Sequence, residues 1–69
     1  MIPKVTTVGL GYIGLPTSAL IASNGIEVFG VDINPEVVET INQGKIHIIE
    51  PDLEDAVAQA VEKGYLKAG

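Results

Sequence analysis

The sequence predicts an α/β fold built on parallel strands, and three observations carry that reading. A short run of β-branched residues meets a glycine-rich turn, the turn opens a segment with helical spacing, and a second apolar run then ends on a carboxylate. Strand, helix and strand in that order form a βαβ unit, which calls for parallel strands and a right-handed crossover.

Lys4 to Val8 reads as the first strand, because Val5, Thr6, Thr7 and Val8 are all β-branched, and it ends at Gly9. From about Ile13 to Asn24, Leu15, Ala19, Leu20 and Ala22 fall near helical spacing, and Asn24-Gly25 supplies a stop with a glycine suited to a left-handed cap. Pro16 has no N–H to give to the carbonyl of Tyr12, so regular helical bonding is expected to begin after Tyr12. Glu27 to Asp32 reads as a second strand with Val28, Phe29 and Val31 apolar. Asn34 then caps a helix that has Pro35 at its first position and Glu36 in its first turn, and Gly44 stops it.

Lys45 to Ile49 is apolar and suits an extended segment. Pro51 is expected to open a third helix, whose stripe of Leu53, Ala56, Val57, Ala60 and Val61 marks a face built for burial. Gly64 ends that helix, and Tyr65-Leu66-Lys67 reads as the approach to a strand the chain does not contain. The expected architecture is therefore a partial Rossmann fold, β-α-β-α-α, with two parallel strands and truncation before the third. Residues 1–69 are expected to form the N-terminal part of one such domain, with no repeat or linker inside it.

The chemistry is concentrated in Gly9-Leu10-Gly11-Tyr12-Ile13-Gly14, a G-x-G-x-x-G set between a strand and a helix. Gly9 allows the sharp turn off the strand, Gly11 lets a pyrophosphate approach bare backbone, and Gly14 lets the helix pack closely on the sheet. Main-chain N–H groups around Tyr12 and Ile13 lie at a helix start, where unsatisfied donors and the helix dipole both favour an anion. Asp32 stands 18 positions beyond Gly14, near the spacing of the carboxylate that binds the adenosine ribose. It would repel a 2'-phosphate, and the chain has no arginine to neutralise one, so the expected cofactor is NAD rather than NADP. The expected cofactor contacts are Gly9, Gly11, Tyr12, Ile13, Gly14 and Asp32.

Other classes fare worse. A net charge of -5 repels phosphate backbones and anionic membrane surfaces, so neither nucleic acid nor membrane is expected as a partner. Met1-Ile2-Pro3-Lys4 lacks a signal-peptide layout, and no apolar run reaches the roughly 20 residues of a membrane span, so a cytoplasmic location is expected. Without cysteine there is no thiol nucleophile and no disulfide. His47 and Glu50 read as a packed histidine and a helix-start carboxylate rather than an acid/base pair. Glu50, Asp52, Glu54 and Asp55 favour a helix's first turn and lack calcium-loop spacing, so no metal site is expected. Thr17 and Ser18 lack the preceding lysine of a P-loop.

At 69 residues the chain can bury only about 60% of its unfolded surface, and it has no metal or disulfide to reinforce it. It is therefore expected to be a fragment of a longer protein or to associate with copies of itself; the fragment is the favoured reading, and a homo-oligomer is the expected assembly.

Over nearly its whole length the chain resembles the UDP-glucose/GDP-mannose dehydrogenase family. Val8 to Pro16 is similar to that family's opening motif, and Gly30-Val31-Asp32-Ile33-Asn34 to the end of its second strand. Ile41 to Leu53 is similar to its segment between the second and third helices. Within the family, Ile46-His47-Ile48 and Glu50-Pro51-Asp52-Leu53 most resemble the branch acting on UDP-N-acetyl-D-mannosamine, whereas many other branches carry proline at the position of His47 and glycine at that of Asp52. The alternative is the branch acting on UDP-glucose.

The resemblance implies a parent enzyme that oxidises the sugar C6 hydroxyl to a carboxylate in two hydride transfers to two NAD molecules. It does so through a cysteine thiohemiacetal and thioester, with a lysine and an asparagine assisting. None of those groups maps onto this chain, so no catalytic residue is expected here. One departure from the family pattern is the lack of a lysine among Asn34 to Val38, where some branches place one near the ribose.

Overall fold

A computed structural model describes residues 4–69, so the reading of Met1–Pro3 lies outside the described residues. The order is β1 (Lys4–Val8), α1 (Gly14–Ser23), β2 (Glu27–Val31), α2 (Pro35–Asn42), α3 (Leu53–Glu62) and β3 (Leu66–Ala68). The strands form one parallel sheet in the order β1-β2-β3, with Val5 opposite Val28, Val28 opposite Leu66, and Gly30 opposite both Thr7 and Ala68.

That register sends Val5, Thr7, Val28, Gly30, Leu66 and Ala68 to one face, where the last four are buried. α1, α2 and α3 pack against this face and close a core around Leu15, Ile41, Val57 and Leu66, all fully buried. The opposite face carries Thr6, Val8, Phe29 and Lys67, all exposed. The sheet is thus covered on one side by the chain's own helices and open on the other.

The third strand corrects the expectation of two. Gly64, at φ 82, reverses the chain after α3, and the Tyr65 N–H donates to the Ala60 carbonyl at 2.9 Å. Leu66 and Ala68 then point into the core while Lys67 points out. Three residues suffice because partners wait on both sides. β2 takes the inner edge, and the Asn42 side chain takes the outer one: its Nδ2 donates to the Ala68 carbonyl and its Oδ1 accepts from the Ala68 N–H, each at 2.8 Å. Asn42 acts there as a one-residue substitute for a neighbouring strand.

The helices follow the sequence with smaller corrections. α1 begins one bond earlier than expected, with the Leu15 N–H donating to the Gly11 carbonyl at 3.0 Å; the Tyr12 carbonyl is skipped, as Pro16 requires. Leu20, placed on the apolar stripe by spacing, is 65% exposed, and the fully buried Ser18 packs instead with its hydroxyl donating to the Gly14 carbonyl at 2.7 Å. α2 is capped as expected, the Asn34 Oδ1 accepting from the Glu36 N–H at 3.0 Å.

In α3 the stripe is as read, with Leu53, Val57 and Ala60 buried and Ala56 and Val61 packed beside them. Its start differs: Pro51 lies in a turn, Asp52 adopts a left-handed conformation at φ 62, and the helix opens at Leu53. Residues 45–49 form no strand and pair with none of the three strands. They keep a strand-like alternation, with Ile48 buried, Ile46 half-buried, and His47 and Ile49 exposed.

Candidate functional site

β1 and β2 end side by side, so the glycine turn and Asp32 meet at the same edge of the sheet. Gly9, at φ 88, donates its N–H to the Val31 carbonyl at 2.7 Å, carrying the ladder one residue past β1 before the chain turns. A Cβ at Gly14 would collide with the Gly9 carbonyl, so only glycine lets the first turn of α1 sit this close to the strand. A Cβ at Gly11 would meet nothing within 4 Å, and its bare face borders open space. Among the described residues, the N–H groups of Gly11, Tyr12 and Ile13 have no acceptor. They are the donors of the helix start, left for an anion.

Leu10 is the fixed point of the turn. It is fully buried, and its side chain lies over Gly30, where a Cβ would come within 2.6 Å of Cδ2 and 2.9 Å of Cδ1. Its main-chain N–H donates to Asp32 Oδ2 at 2.9 Å, while Asp32 Oδ1 accepts from the Asn34 N–H at 3.0 Å. These bonds, that from Leu10 foremost, hold the Asp32 carboxyl below the usual carboxylate range, and the charge of His47 acts in the same direction. Asp32 is therefore ionised throughout the neutral range. Each of its oxygens has a further lone pair for a hydroxyl donor.

The six expected contacts divide into two groups. Gly9, Gly11, Tyr12, Ile13 and Gly14 line one open groove together with Thr7, Val8 and Thr17. Asp32 stands beside that groove, linked to it through Leu10. Tyr12 and Ile13 are 67% and 83% exposed, so their contribution to a ligand is chiefly main-chain donors and apolar surface at the rim. Sequence reasoning missed Leu10, Gly30 and Ser18. The available signal was a large apolar residue set between two glycines, and a glycine inside a strand, which marks close approach of another group.

The packed histidine expected at position 47 is instead exposed, with Ile49, on the outer side of the connection between α2 and α3. Among the described residues, no group of three or more histidine, cysteine or acidic side chains is placed to hold a metal ion, and no helix is long and apolar enough to cross a membrane.

The parallel sheet, the unpaired amides after its first strand and the carboxylate at the end of the second define a dinucleotide-binding α/β segment. The cofactor fits the donor set, since bare backbone faces open space at Gly11 and an ionised acceptor flanks it. Residues 3–69 match the model of the UDP-glucose/GDP-mannose dehydrogenase family, NAD binding domain, and the chain belongs to that family. Its cofactor is NAD.

An NDP-N-acetyl-D-galactosaminuronic acid dehydrogenase from Ralstonia nicotianae is 61% identical over 64 residues, covering 93% of this chain and 15% of that protein. A UDP-N-acetyl-D-mannosamine dehydrogenase from Campylobacter jejuni is 60% identical over 65 residues, covering 94% of this chain and 16% of that protein. The structure of a UDP-N-acetyl-mannosamine dehydrogenase from Staphylococcus aureus superposes with a TM-score of 0.91 at 45% identity, covering 96% of this chain and 16% of that one. The chain thus spans about one sixth of the length of the relatives it matches.

Proposed function

We propose that residues 1–69 are the N-terminal part of the NAD-binding domain of a nucleotide-sugar dehydrogenase, and that they grip the ADP half of the cofactor. The main-chain N–H groups of Gly11, Tyr12 and Ile13 bind the pyrophosphate. Gly9 and Gly14 shape the turn that presents them, and Asp32 accepts hydrogen bonds from the adenosine ribose hydroxyls. The observation that carries this reading is the trio of main-chain donors without an acceptor among the described residues, beside a carboxylate held ionised by the backbone. Bound NAD supplies the hydride acceptor; this chain supplies binding and orientation.

The parent enzyme oxidises UDP-N-acetyl-D-mannosamine to UDP-N-acetyl-D-mannosaminuronate with two NAD. Support for an N-acetylated sugar comes from both named relatives, at 61% and 60% identity. Support for the mannose configuration comes from the Ile46-His47-Ile48 and Glu50-Pro51-Asp52-Leu53 wording and from the Campylobacter and Staphylococcus proteins. The same reading makes the parent a cytoplasmic homo-oligomer. The apolar surface on the open sheet face, Val8 at 82% and Phe29 at 46% exposed among it, is area for the rest of that parent to cover.

Calorimetric titration with NAD and NADP tests the site. NAD is expected to bind at least tenfold more tightly, because the 2'-phosphate would face the Asp32 carboxylate with no arginine to offset it; a difference of that size is about 1.4 kcal/mol. Equal affinity for the two would remove Asp32 from the ribose site.

A further inference from the structure

We propose that Asp32 is also a positioning residue for the pyrophosphate turn, acting through the main chain of Leu10. The inference rests on the NAD reading above and adds a second task for the same carboxylate. The two residues are 22 positions apart, yet the Leu10 N–H donates to Asp32 Oδ2 at 2.9 Å. The carboxylate cannot swing to suit the turn, because the Asn34 N–H holds Oδ1 at 3.0 Å at the entry to α2.

Leu10 is fixed at its other end by the side chain seated over Gly30, and Gly9 is tied to Val31. The chain is therefore held up to Leu10, and the three donors follow immediately after that point. Removing the carboxylate leaves the Leu10 N–H without its acceptor and frees the hinge from which Gly11, Tyr12 and Ile13 are aimed. A hydrogen bond to a charged group is stronger than a neutral one, so this bond is suited to fixing the turn before any ligand arrives.

The consequence separates two roles that one substitution usually merges. A carboxylate that only binds ribose has no effect on a dinucleotide lacking the ribose hydroxyls. One that also positions the turn affects every ligand with a pyrophosphate.

The test measures binding of NAD and of its 2',3'-dideoxyadenosine analogue to the intact protein, to Asp32→Ala and to Asp32→Asn, alongside hydrogen exchange of the Leu10 amide. Asp32→Ala is expected to weaken the dideoxy analogue about tenfold, the worth of one charge-assisted hydrogen bond, and to abolish Leu10 protection. Asp32→Asn keeps one uncharged acceptor oxygen for two main-chain donors and should restore only part of the affinity and of the Leu10 protection. An unchanged affinity of Asp32→Ala for the analogue, with the Leu10 amide still protected, would overturn the proposal. If the intact protein binds neither dinucleotide, the NAD reading fails, while Leu10 exchange in the variants still decides whether Asp32 holds the turn.

Discussion

The turn after β1 and the connection between α2 and α3 are both irregular, and they are held by different means. Residues 9–13 are fixed through the main chain, by Gly9 to Val31, by Leu10 to Asp32 and by the close approach of Gly14 to the Gly9 carbonyl, with one buried side chain at the centre. Residues 45–52 are held chiefly by side chains, with Ile46 and Ile48 turned to the core and Asp52 in a left-handed conformation before α3. The first arrangement leaves main-chain donors without an acceptor among the described residues, which suits a binding turn. The second lets the chain cross the helix layer.

The contrast is sharpest in truncation of the anchors. Leu10→Ala removes a fully buried side chain and is expected to cost about 3 kcal/mol, within the usual range for core leucines. In a domain of this size that lowers the melting midpoint by more than about 10 °C. Ile46→Ala, at a half-buried position, is expected to cost about 1 kcal/mol, because less apolar surface leaves water there on folding. Thermal melts of the two variants side by side check the ranking, and equal losses would remove the distinction between the two segments.

The same contrast explains what was legible in the sequence. Positions governed by local backbone chemistry were readable: the left-handed Gly25, Gly44 and Gly64, the Asn34 cap, Pro16 near the start of α1, and the glycine turn with Asp32. The elements misread depend on partners distant in the chain. β3 exists because β2 and Asn42 hold both its edges, and Leu66-Lys67-Ala68 alone contains no such signal. Residues 45–49 alternate like a strand but meet no sheet edge. The link from Leu10 to Asp32 joins residues 22 positions apart, and the motif's glycines announce the turn without announcing what holds it.

A smaller effect is expected at Asp52, where an L-residue occupies a left-handed conformation at φ 62 and its side chain makes no capping bond. Glycine at this position removes that strain at some cost in chain entropy. Asp52→Gly is therefore expected to stabilise the fold by about 0.5–1 kcal/mol, read as a shifted midpoint in urea. A destabilised variant would mean that the Asp52 side chain holds the start of α3 in a way its geometry does not show.

The central claim, that the turn after β1 presents its free main-chain donors to the cofactor's pyrophosphate, is tested most directly by titrating ¹⁵N-labelled protein with NAD and following the amide signals. The account predicts the largest shifts at Gly11, Tyr12 and Ile13, with Gly64, beside the starts of β1 and β2, as the quiet reference. Shifts centred on the groove that Ser23, Gly25, Asp55 and Gln59 line between α1 and α3, with the glycine turn unmoved, would contradict it.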